Sequence, residues 1–156
     1  MELEVYIPLV MYSRKHKRDM IVVNNRKELK KLIDQRIKTL GPNCDLNDID
    51  VSRIDDMSNI FLYSPFNGDI SKWNVSRVKN MNAMFQFSNF NGDISNWDVS
   101  KVKTMRGMFF GSNFNGDLSR WDVSKVKTMT SMFHESPLHG NEPEWYEKNL
   151  KVHSVM

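Results

Sequence analysis

The sequence predicts an α/β solenoid of 24-residue coils, each a short parallel strand plus a helical turn, stacked behind an N-terminal capping helix. Three observations carry this. FNGDISKWNVS at 66–76 returns as FNGDISNWDVS at 90–100 and as FNGDLSRWDVS at 114–124, always 24 residues on. No copy gains or loses a residue, as required of a rung that must match its neighbour. The segment just before the copies reads as an amphipathic helix with clear start and stop signals.

In chain order, residues 20–24, MIVVN, form a short β-branched run that suits a strand. In NRKELKKLIDQRIKTLGP, Asn25 stands as N-cap with Glu28 as its capping-box partner. Leu29, Leu32, Ile33, Ile37 and Leu40 then share one helical face, and Gly41-Pro42 ends it. The copies run 49–72, 73–96, 97–120 and 121–144, and a fifth starts at Trp145. Within a copy, Val75, Val78, Met81 and Met84-Phe85 recur three or four residues apart, which suits a tight turn passing into helix. Ser71, Trp73 and Val75 alternate with Ile70, Lys72 and Asn74, which predicts a short strand. Asn-Gly is also a hairpin signal, but a hairpin needs alternation on both flanks and the preceding flank reads helical.

Stacking puts like residues in columns: Trp73, Trp97, Trp121 and Trp145 behind Ile49, then Phe66, Phe90 and Phe114 closed by Leu138, then the Met-Phe pairs. A lone rung leaves one side of each ring in water; a stack covers both sides except at its ends. The helix over 25–40 fits the front end. At the back, FNGDIS decays to LHGNEPE, with Pro137 and Pro143 barring strand pairing and a last helix carrying Trp145 and Tyr146. The organisation predicted is 1–48 strand and capping helix, 49–144 four repeats and 145–156 C-terminal cap, all one domain.

The chain holds 22 basic and 19 acidic residues; the excess lies outside the repeats, which carry 10 and 11. A single cysteine, Cys44, excludes an internal disulfide and reads as a buried thiol in a reducing compartment. At the start, Glu2 and Glu4 precede the apolar run and RKHKR at 14–18 follows it, the reverse of a secretory signal, and no run is long enough to span a membrane. A cytoplasmic protein with no membrane partner is the expectation.

The unit W-D-V-S-K-V-K-T-M-x-x-M-F-x-x-S-x-F-N-G-D-I-S resembles the tandem repeat of the BspA-like leucine-rich-repeat proteins, a bacterial family often found on surfaces. The likeness covers about residues 43–147, and the lead-in helix and the closing SPLHGNEPEWY are similar to those of small members without a signal peptide. The resemblance implies a right-handed leucine-rich-repeat-like solenoid that binds and does not catalyse.

The residues read the same way. Phosphate loops, dinucleotide fingerprints and hydrolase or zinc-protease motifs do not occur, so neither enzyme nor cofactor is expected. His134 and His139 with Glu135 and Glu142 match no metal-ligand spacing, and no metal is expected there. Asp69, Asp93 and Asp117 offer one carboxylate per rung, which suits hydrogen bonds within turns better than calcium. Asn67, Asn91 and Asn115 form a similar ladder. Arg53, Arg77, Lys101 and Lys125, with Lys79, Lys103 and Lys127, could follow a phosphate backbone, against which Asp50, Asp98 and Asp122 lie in the same strip.

Contact positions are those that vary while the frame stays fixed. They give Tyr63, Phe87, Arg106 and Phe110, aromatic and arginine side chains that the frame does not demand, and Lys72 and Arg120 near the strand ends. The function expected is a non-catalytic module binding another protein through these six residues. A small inhibitor or immunity-type protein that occludes an enzyme is the nearest alternative, and nucleic-acid binding through the basic ladders is third. A homodimer through an uncovered end stays open.

Overall fold

A computed structural model describes residues 19–153, the last three through their backbone alone. The apolar start, the RKHKR cluster and His16 lie outside the described residues, as does the side chain of His153. The elements are β1 (Ile21–Val22), α1 (Arg26–Leu40), β2 (Ile49–Asp50) and α2 (Glu144–His153), a small mixed α/β content in which β1 and β2 pair in parallel.

Helix α1 forms where its caps place it. Asn25 Oδ1 accepts the N–H of Glu28 at 2.9 Å, and Gly41, at φ 89°, donates its N–H to the Ile37 carbonyl. The return bond of the capping box goes to the N–H of Asn24 instead of Asn25, at 2.8 Å, and this N–H holds the Glu28 carboxyl below its ordinary value. Leu29 and Ile33 are buried, with Leu32 and Ile37 packed at the margin. Leu40, expected on the same face, is exposed at the end of the helix.

Between the helices, the 24-residue units lie side by side and parallel, with bridges from Asp56 to Asn80, Asn80 to Thr104 and Thr104 to Thr128. The backbone groups joining them follow one rule. The N–H groups of Met81, Ala83, Phe85 and Phe87 donate to the carbonyls of Thr104, Arg106, Met108 and Phe110, and the units before and after repeat this at 2.8–3.0 Å. Parallel pairing at Asp45 and Asp69 rules out a hairpin at the first Asn-Gly.

Two local expectations are corrected. Residues 70–75 form no strand: the Trp73 N–H returns to the Ile70 carbonyl at 3.1 Å, so this stretch is a turn. Ile70 and Trp73 therefore both point inward, which breaks the apparent alternation. Residues 81–87 form no helical turn either. Ala83 and Phe87 sit at φ 52°, and Asn59, Tyr63, Gly107, Gly111, Ser131 and Glu135 repeat these left-handed positions, so the chain advances by consecutive tight turns.

The columns form as the periodicity requires. Phe61, Phe85, Phe109 and Phe133 stack with centroids 5.3, 5.5 and 5.8 Å apart, and Phe66, Phe90 and Phe114 at 5.9 and 6.1 Å. Each buried ring contributes about 2–3 kcal/mol by leaving water, and each stacked pair about 0.5–1.5 kcal/mol more. The indoles of Trp73, Trp97, Trp121 and Trp145 donate in turn to the carbonyls of Leu46, Ile70, Ile94 and Leu118 at 2.8–3.2 Å, tying each rung to the one before.

The Asn-Gly pair serves this packing. A Cβ on Gly68 would stand 1.9 Å from the Cys44 carbonyl oxygen, and on Gly92 or Gly116 within 2.7 Å of the neighbouring Phe ring. The side-chain Oδ1 atoms of Asn67 and Asn91 accept the backbone N–H groups of Asn91 and Asn115 at 2.8 Å, making the expected ladder. Cys44 is buried, and burial pushes its thiol pKa up.

Candidate functional site

The frame leaves one run of aromatic side chains outside the core. Tyr63 and Phe87 occupy the same left-handed position in adjacent units and stack at 5.1 Å and 9°. Phe110 sits one residue earlier in its unit, at the column of Gln86 and His134, and meets Phe87 edge-on at 5.2 Å. Gly111 makes this switch feasible: a Cβ there would lie 2.4 Å from the Phe87 ring. The run continues from Phe110 to His134 and on to His139, each step 5.3 Å.

Exposure is graded along it. Tyr63 is 71% exposed with one ring face in solvent, while Phe87 and Phe110 are half-buried. Arg106 is exposed on the turn that leads to Phe110, its N–H bound to Asn82 Oδ1 at 2.8 Å and its carbonyl bound by the N–H of Ala83. The rings of Tyr63, Phe87 and Phe110 are brought together, and Arg106 stands on the turn that precedes Phe110.

Lys72 and Arg120 are not part of that group. Both are exposed past the glycines of their units; the Lys72 N–H donates to Asn47 Oδ1, and Arg120 reaches Asn96 Oδ1 at 2.8 Å. His134 varies at the same place in its unit as the aromatics; the sequence reasoning missed only His139 as the continuation of the run. The swapped order, Phe110-Gly111 against Gln86-Phe87, is the signal that points there.

At that end the run opens into a cavity of about 320 Å³ between the fourth unit and α2, lined by Ser131, His134, His139, Glu142, Tyr146 and Leu150. Burial would raise the Glu142 carboxyl, but the N–H groups of Gly140 and Glu142 and the nearby His139, 3.4 Å away, together hold it low. Burial raises the Tyr146 hydroxyl. Among the described residues, no group of three or more His, Cys, Asp or Glu side chains is placed to hold a metal ion.

The aspartates do turn work. Asp69, Asp93 and Asp117 each accept the N–H of the serine two residues on, at 2.8–2.9 Å, which holds all three carboxyls below the ordinary range. Among the described residues, no helix is long and apolar enough to cross a membrane.

Units of one length, linked through the same atoms at every step and bearing side chains the frame does not need, define a tandem-repeat protein. The family model described as "Mycoplasma protein of unknown function, DUF285" matches residues 27–145, from the first turn of α1 to the last tryptophan, and the chain belongs to that family. No curated protein and no solved structure matches the chain.

Proposed function

We infer that this chain is a non-catalytic protein-binding module, a leucine-rich-repeat-like solenoid whose repeat resembles the BspA-like unit, and that it meets its partner through Tyr63, Phe87, Phe110 and the flanking Arg106. One observation carries this reading: aromatic rings absent from the repeat frame are contiguous across three units, and the first of them is 71% exposed. Aromatic and arginine side chains supply most anchors at protein interfaces, because they cover large area at little cost in rotamer freedom. An inhibitor that occludes an enzyme would use the same side, and the partner's identity separates the two.

The test is affinity capture from the native host with the partner identified by mass spectrometry, then repeated with purified partner. Tyr63→Ser with Phe110→Ser is expected to weaken binding at least tenfold. Tyr63→Ser alone leaves the melting temperature within about 2 °C, since exposed substitutions cost about 0.5 kcal/mol or less. Unchanged affinity in the double variant would remove this side of the stack as the contact.

A further inference from the structure

The repeats are near neutral in sequence, but the fold separates their charge. In the second to fourth units, residues 74–82, 98–106 and 122–130 hold seven cations and only two carboxylates, Asp98 and Asp122. Arg77, Lys101 and Lys125 form one column and Lys79, Lys103 and Lys127 another, all exposed, on either side of the buried Val78, Val102 and Val126, so both columns point outward together. Arg106 adds the seventh charge.

Of the other acids, Asp55 heads the Lys79 column in the first unit with Asp50 and Asp56 near it, while Asp69, Asp93 and Asp117 stand beyond the glycines. Asp98 and Asp122 are occupied by the N–H groups of Ser100 and Ser124 at 3.1 and 3.0 Å. Among the described residues, Lys79 alone in these columns has a carboxylate within 4.0 Å, Asp55, and both side chains are more than half exposed.

The spacing is built into the backbone. The Lys103 N–H donates to the Lys79 carbonyl and the Lys127 N–H to the Lys103 carbonyl, both at 2.8 Å, so the backbone carrying these lysines repeats at the rung step, 5.5 and 5.8 Å in the phenyl column. A ladder of like charges at a fixed step is complementary to a polymer whose anions also repeat, and a folded protein's acidic surface has no such period. We propose that this face binds the phosphate backbone of a single-stranded nucleic acid, its phosphates running across the rungs. The site shares Arg106 with the aromatic contact but uses none of its rings, so variants of the lysines and of the rings test the two separately. Its three rungs are short, and binding rests on about four phosphate contacts.

Fluorescence anisotropy of a labelled 12-nucleotide oligouridylate with the whole chain tests this. Binding is expected at 50 mM salt and should weaken about 50-fold by 200 mM, the slope for about four neutralised phosphates on a single strand. Lys103→Glu with Lys127→Glu should lose more than tenfold, Lys103→Gln with Lys127→Gln less, and Tyr63→Ser with Phe110→Ser nothing; the melting temperatures of the lysine variants should stay unchanged. Absence of binding at 50 mM, or equal binding by the Glu variant, overturns the proposal. Equal competition by polyglutamate of matching charge also overturns it and assigns the face to an acidic protein.

Discussion

The two ends of the stack are closed by different means. At the front, β1 pairs with β2, residues 42–48 act as half a unit, and α1 takes the place of the rest: the N–H groups of Asn67 and Asp69 reach the carbonyls of Pro42 and Cys44, and the Leu46 N–H returns to Asp69. Arg26 caps the Ser58 carbonyl at 2.9 Å, and Arg36 pairs with Asp48 at 2.8 Å where both are largely buried. At the back, α2 alone does this work. Trp145 completes the indole series, Tyr146 meets Phe133 edge-on at 5.0 Å and Asn149 reaches the Val123 carbonyl. The N–H groups of Met129, Ser131, Phe133 and Glu135, whose counterparts link every earlier unit to the next, have no partner among the described residues.

Proline explains part of the difference. Inner units carry Asn89 and Asn113, whose N–H groups bind the carbonyls of Ser64 and Ser88 in the previous unit at 3.1 Å. The terminal units carry Pro65 and Pro137 there. Pro65 has no complete unit behind it, so no link is lost there; Pro137 cannot donate to the Ser112 carbonyl, and the His139 N–H turns back to the Ser136 carbonyl at 3.0 Å in place of a bond to the third unit. A stack of equal rungs needs both ends covered, but the front is integrated into the repeat and the back is laid against it.

That contrast predicts unequal responses. The largest effect is at the front: Ile33→Ala should cost about 3 kcal/mol, lowering the melting temperature by about 6–12 °C in one cooperative transition. Tyr146→Ala at the half-buried back should cost about 1–2 kcal/mol and show first as faster amide exchange in residues 129–135. If the two substitutions prove equal, the ends are equivalent and the comparison fails. Pro137→Asn should restore the link to Ser112 and add about 0.5–1 kcal/mol, read as a higher melting temperature together with a protected amide at residue 137, as at Asn113.

The smallest effect should not distinguish the ends. Ser52 holds Asp50 low near the front, and Ser124 holds Asp122 low near the back. A carboxyl depressed by folding stabilises the native state above its unfolded value, near 3.8, and that stabilisation disappears as pH falls through the lower folded value. Asparagine keeps the bond without titrating, as Asn74 does with the N–H of Ser76 at 3.2 Å. Asp50→Asn and Asp122→Asn should each make the acid-side loss of stability slightly shallower below about pH 4, to the same degree, by melting temperature against pH. A difference between them would place the asymmetry in the turns and not in the caps.

Much of this was legible in the residues because a constant period fixes what touches what. The indole and phenyl columns, the asparagine ladder, the turn aspartates and both cap helices follow from the spacing of Trp73, Phe66, Asn67, Asp69 and Asn25. Local conformation was less legible. Ile70 and Trp73 look like opposite faces of a strand until the bond between their backbones closes a turn. The spacing of Val78, Met81 and Met84 mimics a helix because consecutive turns also bring every third residue inward, and only the left-handed Ala83 and Phe87 reveal the difference. At the candidate surface, Tyr63, Phe87, Arg106 and Phe110 could be named but their contacts could not, since Phe110 changes column. Lys72 and Arg120 were named for standing near strand ends, and the strand expected there is a turn.

The indole that reaches back to a carbonyl has a further consequence. Trp97 and Trp121 donate to Ile70 and Ile94, carbonyls alike in chemistry and setting, so nothing in that bond tells one rung from the next. During folding, a slip by a whole unit would satisfy the same atoms. Correct alignment must therefore be imposed by the parts that occur once, α1 with its bond from Arg26 to Ser58 foremost among them.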